Sequence, residues 1–518
     1  MKAFIRIISV FLTLVMLAAI FVGCDTTDDE IKETENVVAT KKNEPDNEED
    51  DESDAGGTNN RTPVTVPAAT ERPSYNSKFP EHMNWGGEEF LILGQNDRGN
   101  PSWENFEIAR YEFPNDMVGK AVWERNEAIR QKYNLIIEQE LVASANKHIV
   151  MYYAAAEDRY DMVMYQLDEI FSHIQSGYLV DLTTLNYMDF DHPTWDASIN
   201  DQFTFGTSTY AVSSDFNLQN KAQLSCLYYN RDMLAKGDEN LFEDMVISGE
   251  WTLDNYNEIV RSYAKDADNN GKKGDYRKDI FGLCGDEWNF LAFSAGAGYR
   301  ASRAVNGNFQ MIGAGENVLG RLKKVGGIFF DKEISFITES ISPLDYGRSS
   351  EIFLSGRSLF FASEVADINK GLSDTSFELG ILPFPKYIED QKAYCSQVNP
   401  KYASVCTVPM TIYDTDLSGF GLELLAEAST LTSYDAYINM QCKMMNSYDQ
   451  KMAYMYEVIF SNPVYDLVVI GNFGNIGKIM MIYIPRENGK NIDIIYRDQI
   501  FNNAERDIKD IMSDLGIA

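Results

Sequence analysis

The sequence predicts an α/β fold built on mostly parallel sheets. Short apolar runs alternate with amphipathic segments along most of the chain, a pattern typical of parallel strands covered by helices on both faces. Aromatic residues make up 12% of the 518 residues, which is a globular composition. The roughly 435 residues that follow a polar N-terminal region are enough for two domains with substantial cores.

The elements follow in order after residue 85. Asp116 can cap a helix that carries Val118, Ile129 and Tyr133 on one side, and Asn134 ends it. The predicted strands are apolar runs with polar or glycine residues at their ends, and they cover 89–93, 135–137, 160–165, 225–229, 281–284, 358–362 and 379–382. The other predicted helices cover 147–157, a segment ending at Gly177, 255–265, 422–430, 435–444 and 502–515.

Residues 1–23 are typical of a secretory signal. Lys2 and Arg6 precede an apolar run that closes with Phe21-Val22-Gly23-Cys24. This ending resembles the bacterial lipobox, and the resemblance implies that Cys24 is lipidated after the preceding residues are removed. An uncleaved membrane anchor and a plain signal cut elsewhere remain alternatives. Each interpretation places the rest of the chain outside the cytoplasmic membrane, and the lipobox anchors it to the outer face.

Residues 24–80 are predicted to comprise the lipidated cysteine and a disordered acidic tether. From Asp25 to Asp54 the chain carries 14 acidic and 3 basic residues, and it has too few apolar residues to offset chain entropy. The formal net charge of the whole chain is −34. A charge of this sign argues against binding to nucleic acid or to an anionic membrane surface.

The remaining cysteines give no sign of a zinc site. Cys226, Cys284, Cys395, Cys406 and Cys442 are odd in number, and no two of them form a C-x-x-C pair. We expect buried free thiols, with a Cys395–Cys406 disulfide as the alternative. None of the four histidines has metal-site or catalytic-triad spacing.

Short motifs along the chain are similar to those of one family. They are Asn115-Asp116-Met117-Val118-Gly119, Gly177-Tyr178-Leu179-Val180-Asp181-Leu182, Tyr228-Tyr229-Asn230-Arg231-Asp232, Gly249-Glu250-Trp251-Thr252, Gly380-Ile381-Leu382-Pro383-Phe384-Pro385 and Tyr465-Asp466-Leu467. In this order they resemble the extracellular solute-binding proteins of ATP-driven (ABC) importers, in the group that includes carbohydrate binders. The fourth motif lacks the family's proline.

The resemblance implies a two-lobe α/β fold of the periplasmic-binding-protein type (type II), with the ligand in a cleft between the lobes. On this basis lobe 1 is expected to comprise residues 81–210 plus 359–433, and lobe 2 residues 211–358 plus 434–518. The resemblance also implies a monomer that works with permease subunits and has no catalytic residues.

Sugars are neutral and rich in hydroxyl groups, so a site for them needs aromatic plates and polar hydrogen-bonding side chains. Loops after predicted strands supply both kinds of residue, and the candidates are Tyr165, Gln166, Asp215, Phe216, Trp288, Asn289 and Glu364. Trp288 is the preferred platform because polar residues flank it. Packing or a solvated loop is the alternative role for each, and Trp103 and Tyr299 are weaker candidates.

Asp266, Asp268 and Asn270 occupy positions 1, 3 and 5 of a sequence that resembles the first half of a calcium loop, with Gly271 at position 6. Position 12 is not the usual glutamate, so Asp275 or Asp279 would have to supply the last ligand. A polar turn without metal is the alternative. Calcium, in a structural role, is the one cofactor that the sequence suggests.

The sequence therefore predicts a lipid-anchored extracellular protein that binds a small solute, an oligosaccharide by preference, and delivers it to an ABC importer. A surface-anchored carbohydrate-binding or sensory module is an alternative. A secreted glycosidase is another, but no eightfold strand–helix repeat is present, so we expect no enzyme activity.

Overall fold

The computed structural model describes residues 79–80, 82–96, 104–338, 348–444, 450–480, 484 and 489–517. The signal at 1–23, Cys24, the tether up to residue 78 and Trp103 lie outside the described residues, so the predictions made for them stay predictions. Among the described helices, none is both long and apolar enough to cross a membrane.

In the part of the chain that the structure describes, nine strands form the two main sheets. In chain order they are β1 (Glu88–Gln95), β2 (Leu135–Val142), β3 (Met162–Gln166), β4 (Ser225–Asn230), β5 (Phe281–Asp286), β6 (Ser335–Thr338), β7 (Ser358–Glu364), β8 (Leu379–Leu382) and β9 (Ser404–Thr407). The first sheet has the order β9-β3-β1-β2, and the second has the order β6-β5-β7-β4-β8.

Most strand pairs are parallel, as the alternation of elements predicts. In the first sheet β1 is parallel to both β2 and β3, and β9 is antiparallel to β3. In the second sheet β5 is parallel to β6 and β7, while β4 is antiparallel to both β7 and β8. The mixed α/β class is therefore confirmed.

Short ladders complete the strand pairing. They join Thr204–Phe205 to Ser208–Thr209, Ser302–Val305 to Asn308–Met311, and Ser396–Gln397 to Pro463–Val464.

The longer helices lie between the strands of the main sheets or follow the last of these strands. They are α1 (Met117–Tyr133), α2 (Ala145–Ala155), α3 (Leu241–Ser248), α4 (Leu253–Tyr263), α5 (Asn289–Gly296), α6 (Glu316–Phe329), α7 (Thr415–Thr430), α8 (Ser433–Met444), α9 (Gln450–Ser461) and α10 (Asn502–Asp514). Shorter helical segments are Phe171–Gln175, Ala197–Asn200, Leu218–Ala222, Arg348–Leu354, Leu467–Ile470, Ile476–Lys478 and Ile492–Ile495.

Local signals explain the ends of α1. The Asp116 side chain accepts a hydrogen bond from the Gly119 N–H, which caps the helix start. Asn134 follows the last turn in the left-handed region at φ 50°, a conformation that asparagine tolerates better than most residues. Both ends lie where the sequence predicts them.

The first sheet is buried on both faces. Along β3, Met162 and Met164 pack into one apolar cluster, while Val163 and Tyr165 pack into another. Neighbouring residues of a strand point to opposite faces, so a continuous apolar run is what a strand covered on both sides requires. This is why the run at 160–165 predicts a central strand.

The second sheet has an aromatic core on one face. Tyr229 and Phe360 meet Phe242 of α3 together with Trp251 and Tyr256, with ring centroids 5.1–6.2 Å apart. The described cysteines Cys226, Cys284, Cys395 and Cys406 are free thiols, and the Cys442 side chain is not described.

The segment 359–433 contributes strands to both main sheets. The sequence analysis grouped residues 359–433 with lobe 1, but β7 and β8 belong to the second sheet, where both pair with β4. Only β9, at Ser404–Thr407, returns to the first sheet. Chain order alone cannot decide which sheet accepts an apolar strand. The division of the chain into lobes stays a prediction.

Candidate functional site

The carboxyl ends of the parallel strands define one edge of each sheet. We call the ends of β1, β2 and β3 the first site edge, and the ends of β5, β6 and β7 the second site edge. In α/β proteins the loops after such strand ends hold the ligand. Most of the predicted site residues lie on these two edges.

Residues 399–403 connect the two site edges. At the first edge, Gln166 donates its side-chain amide to the Lys401 carbonyl oxygen at 2.6 Å. At the second edge, the Asn399 side-chain amide donates to Glu364 Oε1 at 3.1 Å, and the Asn399 N–H donates to the Gln223 carbonyl at 3.0 Å. The structure thus brings Gln166 and Glu364, predicted independently, to the two ends of one short segment.

Trp288 lies at the start of α5, directly after β5. It is half-buried, and its indole Nε1 has no hydrogen-bond partner among the described residues. Asn289 is buried, and its Oδ1 accepts the Asp286 N–H at 2.7 Å, which fixes the turn from β5 into the helix. Trp288 therefore lies at the second site edge with its ring packed partly against the core, and Asn289 holds the turn that positions it.

Two exposed carboxylates lie at the site edges. Asp168 follows β3 and Asp286 ends β5, and both are exposed to solvent. The surrounding protein removes water from the Asp168 carboxyl and so raises its pKa to about 6. The negative charge of Glu169 raises this pKa further. Burial by surrounding atoms, then the charge of Asp367, raises the pKa of Asp286 to about 6.

Tyr165 differs from its expected role. It is fully buried, its hydroxyl hydrogen-bonds the Tyr153 hydroxyl at 2.9 Å, and its ring lies 4.6 Å from His173. Tyr299, a weaker candidate, is also buried and donates to the Tyr496 hydroxyl at 3.5 Å. In this structure both rings pack in the core and are closed to a solute.

Asp215 and Phe216 lie behind the first site edge. Asp215 accepts a hydrogen bond from the Thr430 hydroxyl at 3.0 Å, at the end of α7. Phe216 is buried, with the Arg125 guanidinium 5.1 Å from its ring centroid. These contacts hold the turn after residue 212 against the helices, and they leave Phe216 without exposed surface.

A buried carboxyl lies beneath the first site edge. Asn105 accepts the Gln95 N–H at 2.8 Å and donates to Glu107 Oε1 at 3.4 Å. Glu107 is completely buried, its Oε2 has no partner among the described residues, and burial raises its pKa to about 7. Arg125, also buried, donates to the backbone carbonyls of Glu107 and Ile108 at 2.8 Å.

The calcium-like loop forms a compact acidic cluster. Carboxylate oxygens of Asp266, Asp268 and Asp279 lie within 4.8 Å of one another. Lys278 Nζ lies 2.9 Å from Asp268 Oδ2. Asp275 Oδ1 accepts the N–H of Arg277 at 3.0 Å. Of the two alternatives for the last ligand, Asp279 is the one whose carboxylate lies in this cluster.

The Asn270 side chain also differs from its expected role as a ligand. Its Oδ1 accepts the Lys272 N–H at 2.8 Å, so in this structure it stabilises the turn. The three clustered carboxylates are oxygen donors of the kind that calcium prefers. The donor set therefore fits a divalent cation, with Asn270 and Asp275 outside it.

Sequence reasoning missed three polar residues at the site edges. Asp168 and Asp286 could have been found by the rule that named Trp288, because each lies within two residues of a strand end. Asn399 follows no long strand, so no local pattern marks it. Its position depends on pairing between segments that are far apart in the sequence.

The fold can be compared with known proteins. No protein-family model matches the sequence, and no curated protein matches it. The crystal structure of M. tuberculosis UspC matches 81% of this chain and 99% of its own, with 12% identity and a TM-score of 0.51. A cyclo/maltodextrin-binding protein complexed with maltotetraose matches 82% and 97%, again with 12% identity and a TM-score of 0.51.

At this identity the likeness concerns the fold. The chain has the α/β fold of maltodextrin-type substrate-binding proteins, which is the fold that the sequence motifs imply. The match extends over nearly the whole of each of the two known proteins and over 81% and 82% of this chain.

Proposed function

We propose that this chain is an extracellular solute-binding protein that binds an oligosaccharide between its two site edges and delivers it to an ABC importer. The observation that carries the proposal is the meeting of the edges at residues 399–403. There the Gln166 and Asn399 amides and the Glu364 carboxylate are joined by hydrogen bonds through one short segment, and half-buried Trp288 lies directly after β5 at the second site edge.

The chemistry of these residues supports a sugar-like solute. Carboxylates and amides accept and donate hydrogen bonds to hydroxyl groups, and an indole face packs on the apolar face of a sugar ring. A protein of similar fold was crystallised with maltotetraose, which supports an oligosaccharide over an isolated monosaccharide. The role is binding and not catalysis.

A screen of the purified mature chain by thermal melting and calorimetry tests the proposal. Maltotetraose and other neutral or charged oligosaccharides are compared with peptides. A solute that binds only the folded state stabilises it by about 2.7 kcal/mol at a hundredfold excess over Kd. We expect at least one oligosaccharide to raise the melting temperature. Stabilisation by peptides alone would contradict the proposal.

The proposed location is the outer face of the cytoplasmic membrane, with Cys24 carrying the lipid. Its support is the apolar run that ends at this cysteine. Cys24→Ala should release the protein from the membrane fraction or leave it unprocessed. Cys395→Ala is the matched control, because Cys395 is a partly buried free thiol in the folded body. Membrane attachment and processing unchanged by Cys24→Ala would refute the lipobox.

We also propose that Asp266, Asp268 and Asp279 hold a structural calcium ion. Their clustered oxygens support it. A bound cation would offset the mutual repulsion of the three carboxylates. Lys278, paired with Asp268, already supplies one positive charge to this cluster. The ion would stabilise the turn between α4 and β5 and would not contact the solute.

A further inference from the structure

Acidic residues are concentrated at the second site edge. Asp286 ends β5 and Glu287 follows it, while Glu364 ends β7 and Asp367 comes three residues later. These two strands are direct parallel neighbours, so their carboxyl ends lie side by side. The acidic residues therefore come together through the fold and not merely through the composition of the chain.

The charged groups that act on Asp286 at this edge are acidic. After the loss of hydration, the charge of Asp367 is the largest influence that raises the pKa of Asp286, and Glu287 adds to it. The influences that lower this pKa are backbone N–H groups of Asn289 and Trp288, which carry no net charge. Neutral groups also donate to the neighbouring acids, with the Asn399 amide bound to Glu364 and the Ser363 hydroxyl to Asp367.

Among the described residues, two polar atoms at this edge have no hydrogen-bond partner. Ser225 is completely buried, and its Oγ has no partner among the described residues. Ser225 lies opposite Glu364 in the antiparallel β4–β7 register, so the two side chains share one face of the sheet. The Trp288 Nε1 is the second such atom. Buried polar atoms are normally hydrogen-bonded. Ser225 Oγ and Trp288 Nε1 at the second site edge are therefore consistent with groups that bind a solute.

We infer that the solute carries a positive charge, as in an oligosaccharide with free amino groups, and that the carboxylates of the second site edge bind its ammonium groups. This inference rests on the proposed function and adds the chemical class of the solute. An ammonium group donates charge-assisted hydrogen bonds to carboxylates. A neutral hydroxyl forms weaker hydrogen bonds to the same carboxylates.

Calorimetry on the mature chain tests the inference with a matched ligand pair. The tetramer of β-1,4-linked glucosamine is compared with its N-acetylated counterpart, and maltotetraose and spermidine are also titrated. We expect the glucosamine tetramer to bind at least about tenfold tighter than the N-acetylated one, the size of one charge-assisted hydrogen bond. Raising the salt from about 50 mM to about 500 mM should reduce the preference.

The outcomes separate this inference from the proposed function. Equal or tighter binding of the N-acetylated tetramer or maltotetraose overturns the inference and leaves the proposed function standing. If spermidine binds and none of the oligosaccharides does, the solute is positively charged but is not an oligosaccharide, which overturns the proposed function. No binding to any of the four ligands overturns both.

A pair of variants tests where the charge is bound. Asp286→Asn should lower the preference for the glucosamine tetramer about tenfold and weaken its salt dependence. Asp232→Asn is the control, because Asp232 is an exposed acid at the opposite end of β4 whose Oδ1 accepts the Glu378 N–H at 3.2 Å. The control should keep the preference. A preference unchanged by Asp286→Asn would show that the charge is bound elsewhere.

Discussion

Glu107 makes the unfolding free energy depend on pH in a way that can be measured. This carboxyl is completely buried beneath the first site edge, with Oε2 lacking a partner among the described residues. Glu107→Gln keeps the oxygen that accepts from Asn105 and removes the group that ionises. We expect the variant to be more stable than the wild type above neutral pH.

The magnitude follows from the two pKa values. Burial raises the pKa of Glu107 from 4.5 to about 7 in the folded protein. Each tenfold change in proton affinity is worth about 1.4 kcal/mol, so ionisation of Glu107 lowers the unfolding free energy by about 3 kcal/mol at most. Because the folded pKa is raised, the contribution of Glu107 is full below about pH 4.5 and is lost as the pH rises through about 7.

Urea unfolding at several pH values between about 5 and 8 measures the effect. The difference in unfolding free energy, variant minus wild type, should rise by about 2–3 kcal/mol across this range. Asp161 and Glu423 also have pKa values raised to about 7 by burial, so only the difference isolates Glu107. Glu124→Gln, an exposed change on α1, is the control. A difference that stays constant with pH would refute the reasoning.

Two further predictions concern the solute and the metal. Trp288→Ala should weaken solute binding by about 1–3 kcal/mol. The melting temperature without solute should change only slightly, because the ring is half-buried. A loss of about 3–5 kcal/mol of stability with unchanged calorimetric affinity would place Trp288 in the core instead. A calcium chelator should lower the melting temperature of the wild type and of Asp275→Asn, whose carboxylate accepts the Arg277 N–H outside the cluster. The chelator should not change the melting temperature of Asp266→Asn. An unchanged wild-type melting temperature in excess chelator, with no metal found by elemental analysis, would exclude the ion.

The fold could be predicted well because its signals are local. The run Met162-Val163-Met164-Tyr165 is buried throughout, which is what a strand with helices on both faces requires. Asp116 and Asn134 set the ends of α1 through their own backbone preferences. Each of these features depends on a few consecutive residues.

The sheet that a strand joins is not a local property. β7 lies between β5 and β4, parallel to one and antiparallel to the other. Its sequence, Ser358-Leu359-Phe360-Phe361-Ala362, would suit the centre of either sheet. Only the packing of distant segments decides this, so chain order alone could not place residues 359–382 in the second sheet.

The side chains of the site could be predicted only in part. A strand-end rule selected Tyr165 and Gln166 together, yet neighbouring residues point to opposite faces. Tyr165 therefore enters the core against His173, while Gln166 reaches the Lys401 carbonyl. The sequence gives no means of deciding which of two neighbours faces the edge, because both faces of this sheet are apolar.

The bonding of residues 399–403 relates the solute site to the relative position of the sheets. The segment is bound to the first site edge through Gln166 and to the second through Asn399. A rotation of one sheet against the other has to deform this segment or bend one of these hydrogen bonds. Glu364, the partner of Asn399, is itself a predicted solute contact. A solute that competes for Glu364 would therefore favour one relative position of the sheets over another, and it can shift that balance only by the difference between its affinities for the two positions.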